Sequence, residues 1–317
     1  MPSSPARSLT GVDPPFLPFA PAADYADFHA AALESSDVDP VYPVLAAIGD
    51  TLALTTEARL WLTFVYVAYY HLGSALAAFD NVGPGPGRPS MPLLHAPTGI
   101  ERRAHRSPAK LAAHLDALTD IAASNGGLGP WLAAAIGSGL SRTQRWHLLT
   151  EQLTHIYGNG RWSSYKTAEM LWKVNGFPIA APDMGHAHST GPREGLALLF
   201  AVPHGNAARN IRHLDWLSEQ LCVWLRDRGL AAPVEEVETT LCDFHALHRG
   251  KYYVGHDIDQ MQAQLAAPPS ALTGAAFAAR SATLPRRFLG ERNSWTGIRP
   301  DLNGAYRQGR GIAWWAA

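Results

Sequence analysis

Residues 157–195 read YGNGRWSSYKTAEMLWKVNGFPIAAPDMGHAHSTGPREG, and their punctuation is that of helices rather than strands. Gly158, Asn159 and Gly160 interrupt a helical pattern that Ser163 to Val174 resumes, with Tyr165, Ala168, Met170, Leu171, Trp172 and Val174 at the apolar positions. The reading is helix, tight hairpin, helix. Asn175 and Gly176 tolerate the left-handed conformation that ends a helix, and Pro178 and Pro182 forbid its continuation. Asp183 therefore emerges on a constrained, extended segment, with His186 and His188 close behind. A lysine, Lys166, a carboxylate and two histidines thus surround one helix.

Working outward, hydrophobic periodicity predicts helices over 25–35, 43–50, 57–80, 108–125, 130–137, 141–157, 163–175, 193–200, 209–228, 234–247 and 258–266. No alternating run is long enough to demand a sheet, and no fixed-period repeat marks a solenoid. The fold class expected is all-α. The run GPGPGRPS at 83–90 is a loop, and it separates an N-terminal arm and helical region at 1–80 from a catalytic core at 91–270. Residues 271–317 form a basic and aromatic C-terminal segment, packed on the core or on DNA.

With 317 residues, 47% of them hydrophobic, the chain can bury a substantial core, as one large domain or two interleaved lobes. Its two cysteines, Cys222 and Cys242, argue against a disulfide framework and fit a reducing, cytoplasmic setting. Pro2, Pro5, Pro14, Pro15, Pro18 and Pro21 suggest an extended N-terminal arm without a cleavable signal pattern. The most apolar run, 60–72, is shorter than the roughly 20 residues of a spanning helix and reads as a buried one, so no membrane partner is expected.

The formal net charge of −1 departs from the basic surplus usual in DNA binders. Basic residues are nevertheless clustered. Arg102, Arg103, His105, Arg106 and Lys110 form one group; Arg280, Arg286, Arg287, Arg292, Arg299, Arg307 and Arg310 form another. Phe288, Trp295, Tyr306, Trp314 and Trp315 interleave with the second group, a mixture that stacks bases while following phosphates.

The hairpin, with Gly160, Lys166, Thr167 and Ala168, the apolar helix after it and then Asp183, resembles the core of the helix-hairpin-helix DNA glycosylases. That resemblance implies a helix-hairpin-helix glycosylase-like architecture, with Lys166 on the position of the amine nucleophile of bifunctional members and Asp183 on the catalytic aspartate. WSSY stands where those enzymes have a compact glycine turn, and cluster-binding cysteines are absent. Residues 161–166, the Asp183 loop, Gly191-Pro192-Arg193-Glu194-Gly195 and FHALHRGKYYVGHDID at 244–259 more closely resemble the alpha-glutamyl/putrescinyl thymine pyrophosphorylases, the bacteriophage amino acid:DNA transferases. This resemblance implies an enzyme that hypermodifies thymine. The amine of an amino acid displaces pyrophosphate from an activated 5-hydroxymethyluracil in double-stranded DNA, after a 5-hydroxymethyluracil DNA kinase has acted. Glycine or serine is the amine it favours.

The residues available suit that chemistry. Arg161 and Arg193 offer bidentate phosphate contacts, and His186 and His188 can donate to departing oxygens. Asp183 would position or deprotonate the incoming amine, and Lys166 adds a cation or a nucleophile. The reacting base must leave the stack, so Trp162, Tyr165, Tyr252 and Tyr253 are candidate walls. Ser163, Ser164, Arg249, Lys251 and Tyr252 are expected to contact DNA. Structural readings compete with these roles: an aspartate after proline also caps a turn, and Glu169 has helical spacing to Lys166 and Lys173.

No cofactor is called for. A divalent metal is compatible with the histidines, and Cys242, His245 and His248 come nearest to a structural zinc set, although no established ligand spacing is present. There is no phosphate-binding GxxxxGK[ST] loop and no nucleophile-elbow serine. Two alternatives remain beside the transferase: a DNA glycosylase or lyase using Lys166 and Asp183, and a non-catalytic DNA-binding protein.

Overall fold

The computed structural model describes residues 22–99, 107–200, 210–249, 251–266, 268–286 and 289. The proline-rich arm, Arg102 to Arg106 and most of the C-terminal basic and aromatic cluster lie outside them. Among the described residues the regular structure is helical throughout: α1 (Ala22–Ser35), α2 (Val41–Thr51), α3 (Thr56–Tyr69), α4 (Leu72–Val82), α5 (Met91–Leu94), α6 (Pro108–Asn125), α7 (Leu128–Ile136), α8 (Arg142–Thr154), α9 (Arg161–Lys173), α10 (Gly191–Phe200), α11 (Ile211–Asp227), α12 (Val234–His248), α13 (His256–Leu265) and α14 (Thr273–Thr283). The chain is all-α, and none of these helices is long and apolar enough to cross a membrane. It divides into two compact units, one built from residues 22–39 and 181–257, the other from 40–180 and 258–289.

In the second unit α3 is the central element. Leu60 through Tyr69 are buried without exception, as in a helix hydrophobic on all sides, and α4, α6, α7 and α9 pack around it. Its Glu57 carboxylate accepts from the N–H groups of Leu128 (2.8 Å) and Gly129 (2.7 Å), an anion at the positive end of α7. The expected continuous helix over 57–80 is two helices. Tyr70 adopts the left-handed conformation (φ 49°), and His71 caps α4 by accepting from Ser74 N–H at 3.2 Å. Because both helices are buried, apolar residues continue across the break and periodicity conceals it. Periodicity also missed α14, whose TGAAFAARSAT carries one large apolar residue, Phe277, yet packs on α2. Arg280 of α14, grouped by sequence with the C-terminal basic residues, is buried beside Asp259.

A reciprocal capping box begins α8, Ser141 with Gln144. Residues 155–160 then turn the chain so that α9 packs on α8, with Tyr165 edge-on to Trp146 at 5.1 Å.

The first unit holds α1, α10, α11 and α12. Phe28 and Tyr25 meet Phe244 at 5.4 and 5.2 Å, and Leu221, Leu225 and Leu241 complete the core around them. Buried Asp37 accepts from the Tyr252 hydroxyl and, at 2.6 Å, from Gly255 N–H, tying residues 22–39 to the later segment. The turn GPREG has a packing reason. A Cβ at Gly191 would stand 2.3 Å from Cys242 Sγ, and one at Gly195 would stand 2.1 Å from the Leu241 carbonyl oxygen. Two glycines one turn apart let α10 lie directly on the α12 backbone.

Candidate active site

α9 ends on a glycine turn, and the loop that carries the candidate residues follows it in the sequence. Gly176 takes φ 72° and donates to Trp172 O at 3.0 Å, while Phe177 N–H bonds Leu171 O at 3.0 Å. Glycine meets that conformation without steric cost, so the helix stops where the sequence indicates. Residues 181–190, in the first unit, then run without regular structure to α10. Ala181 N–H is held by the buried Glu235 carboxylate at 3.1 Å, and exposed Asp183 accepts from Gly185 N–H at 2.7 Å. Asp183 therefore closes a local turn, leaving its second carboxylate oxygen toward solvent.

His186 and His188, two residues apart, part company. His188 is exposed, whereas His186 is buried with Nε2 2.6 Å from Ser218 Oγ. The Ser218 hydroxyl donates its single proton to Leu214 O at 2.9 Å, so His186 Nε2 is the donor in that contact and Nδ1 carries no proton. Burial lowers the His186 pKa to about 4; nearby Asp183 opposes that shift and Arg193 adds to it. His186 is therefore neutral near pH 7 and holds the loop, which does not suit it to neutralise a departing anion. Half-buried Arg193, at the start of α10, and His188 remain as the loop's candidate anion contacts.

Beside this loop lies a cavity of about 190 Å³. Asp183 and Met184 line one wall, Val234 at the start of α12 contributes another, and a stripe of α11 forms the floor: Asp215, Ser218, Glu219, Cys222, Val223 and Arg226. Burial, then the charges of Asp183 and Glu219, raises the Asp215 carboxyl above its ordinary 3.8. Burial likewise raises the Cys222 thiol to about 11, so it remains protonated and is no nucleophile. The α11 stripe was missed from sequence. Its only signal was spacing of three and four residues, which also describes a solvated helix face.

The remaining expected site residues of the α9 hairpin belong to the second unit. Lys166 Nζ is 2.8 Å from Glu169 Oε2, which also accepts from Tyr42 at 2.9 Å, and Lys173 Nζ is 3.8 Å from Oε1. The structural alternative for Glu169 is thus the arrangement present. Ser163 Oγ accepts from Gly160 N–H and donates to Gly160 O, both at 2.9 Å, and Ser164 Oγ bonds the same carbonyl at 3.1 Å. Both serines are buried, so their hydroxyls organise the helix start rather than reach outward to phosphate. Arg161 and Trp162 are exposed at the first turn of α9, with Trp162 edge-on to Tyr70 at 5.0 Å. Of the expected DNA contacts in the first unit, Arg249 and Lys251 are exposed. Tyr252 is instead a core residue bonded to Asp37, because its ring fills space against Phe28. Among the described residues no group of three His, Cys, Asp or Glu side chains is placed to hold a metal ion.

Residues 33–253 match the family model described as Amino acid:DNA transferase. That span includes the α9 hairpin, the Asp183 loop and the whole cavity. The chain belongs to the amino acid:DNA transferase family.

Proposed function

We propose that this member of the amino acid:DNA transferase family joins the amine of a small amino acid to the 5-methylene carbon of pyrophosphorylated 5-hydroxymethyluracil in double-stranded DNA, releasing pyrophosphate. The observation that carries the reading is the family match over residues 33–253, which includes both the Asp183 loop and its adjoining cavity. The reaction requires an ammonium to lose one proton, so that its nitrogen has a lone pair. Nitrogen then bonds to the methylene carbon as the carbon–oxygen bond to pyrophosphate breaks, and the product is a secondary ammonium. Asp183 at the cavity wall positions the amine, and Asp215, with its raised carboxyl pKa, accepts the proton.

Arg193 and His188 supply the loop's contacts to pyrophosphate, the arginine through paired donors and the histidine through a ring N–H. In the second unit, taken by itself, exposed Arg161 and Trp162 are candidates for contact with DNA. The substrate itself implies a preceding kinase that phosphorylates 5-hydroxymethyluracil in DNA, and a divalent metal associated with pyrophosphate remains part of the reading.

The test is mass spectrometry of nucleosides digested from kinase-treated 5-hydroxymethyluracil DNA, after incubation with this protein and mixed amino acids. A nucleoside heavier by one amino acid adduct is the expected product. Release of a free base would indicate glycosylase chemistry instead, and unchanged nucleosides would leave DNA binding without transfer.

A further inference from the structure

We infer that Trp216 on α11 is the face against which an extruded base of the DNA substrate stacks beside the cavity, with Arg212 meeting the adjoining phosphate. This assignment rests on the transferase reading above. A base that reacts at its 5-methylene carbon must leave the helix stack, and its ring then needs an apolar face in place of the neighbours it lost. The aromatic walls expected from sequence supply none beside Asp183. Tyr252 and Tyr253, the candidates in the first unit, are 4% and 5% exposed. Trp216 is 49% exposed, and among the described residues of that unit it is the one large hydrophobic side chain left so open to water.

Its place on α11 puts it next to the chemistry. Leu214, Leu217, Leu221 and Leu225 bury one face of the helix and so fix the direction of the others. At 3.6 residues per turn Arg212, Trp216 and Gln220 share one stripe, and the cavity-lining Asp215, Cys222 and Arg226 share the next, roughly 100° round. Trp216 therefore borders the cavity floor, one residue from Asp215 and three from Glu219. Helical side chains lean toward the N-terminus, and the indole accordingly meets His213, with ring centroids 5.8 Å apart and planes 17° from parallel. His213 is itself anchored, its N–H donating to the Asn210 side chain at 3.2 Å. An indole braced on a neighbouring ring and half open to water has little freedom left to lose when a further ring stacks on it.

Charge orients the strand. Arg212 is exposed one turn before Trp216 and, among the described residues, pairs with no carboxylate. Asp215 and Glu219 lie on the cavity side, so phosphate is repelled there and drawn toward the arginine. A nucleotide laid across Trp216 thus turns its phosphate to the start of α11 and the edge of its base to the cavity. An aromatic face with an unpaired arginine beside it is the combination that stacks a base while following its backbone.

The first measurement is photocrosslinking of the protein to duplex DNA in which 5-iodouracil replaces the reacting base, read out by peptide mass spectrometry. The crosslink is expected on Trp216 or His213. In the transfer assay Trp216→Ala is expected to raise the KM for DNA about tenfold and leave the KM for the amino acid unchanged, while Trp216→Phe, which keeps a ring, recovers most of that loss. Arg212→Gln should weaken binding of modified and unmodified duplex alike in fluorescence anisotropy, and reduce the slope of log affinity against log salt by about one. Circular dichroism checks that each variant is folded, as substitution of an exposed side chain predicts. The assignment is overturned if crosslinks form elsewhere and not on α11, or if folded Trp216→Ala binds duplex with wild-type affinity. A crosslink at Trp216 and weakened duplex binding by Trp216→Ala, with no adduct formed on activated DNA, would count against the transferase reading alone. Transfer whose KM for DNA ignores Trp216→Ala would count against the stacking face alone.

Discussion

Lys166 Nζ lies 2.8 Å from Glu169 Oε2, with the lysine 11% exposed and the glutamate fully buried. A charge removed from water to this degree is retained because another charge and a hydrogen-bond donor satisfy it, and here Tyr42 supplies the donor. The KTA segment therefore joins α9 to α2, whatever further part its lysine plays.

Lys166→Met leaves Glu169 with Tyr42 at 2.9 Å and the more distant Lys173 at 3.8 Å. Loss of one partner of a buried pair costs about 3 kcal/mol, and urea denaturation of the variant should show a shift of that order. A variant of wild-type stability that no longer turns over would instead give the lysine a chemical role.

Asp183→Asn keeps an oxygen able to accept from Gly185 N–H, so the turn should survive and stability should change by no more than about 0.5 kcal/mol. Turnover should fall by about 100-fold or more, because the amide neither attracts an ammonium nor accepts its proton. Transfer kinetics and a thermal melt on the same preparation check both halves.

Gly195→Ala places a Cβ where the Leu241 carbonyl oxygen would be 2.1 Å away. Since that neighbour is backbone, α10 must move off α12, at a cost of about 3 kcal/mol or more. The expected result is a clear fall in Tm by calorimetry. Unchanged Tm would show that α10 shifts freely.

His186 is buried neutral, its pKa lowered from 6.5 to about 4 by burial. Between those values the unfolded chain binds a proton that the folded chain refuses, so this contribution to stability is complete above about pH 6.5 and is lost as pH falls toward 4. The loss attributable to this side chain is on the order of 3 kcal/mol. His71, lowered by burial to about 4, and His29, lowered in the same direction, act with the same sign. His186→Gln should flatten the decline in chemical-denaturation stability across that range without abolishing it.

Cys222, with its thiol raised to about 11 by burial, should resist iodoacetamide at pH 7.5 in the folded protein. Peptide mass spectrometry after denaturation should then show its full alkylation. Cys222→Ser should retain transfer, since the thiol forms a cavity wall and attacks nothing.

The helical punctuation was legible because its signals are local. Gly176 shows φ 72° as a helix-ending glycine should, and the chain beyond it leads to the loop bearing Asp183, His186 and His188. The break at Tyr70 was hidden because burial makes residues on both sides apolar, and α14 was hidden because alanine carries little periodic signal.

By itself, the amino-acid sequence determined the all-helical class, the stops that end α9 and a concentration of ionisable groups after it, since propensity and backbone chemistry act over a few residues. Tertiary structure decided what each group faces. It turned His186 inward to Ser218, paired Lys166 with Glu169 and seated Tyr252 on Asp37. It also brought Asp183 beside Asp215, Glu219 and Arg226 to make a cavity. Those relations depend on desolvation and on charges far apart in the chain, and neither is encoded in local spacing.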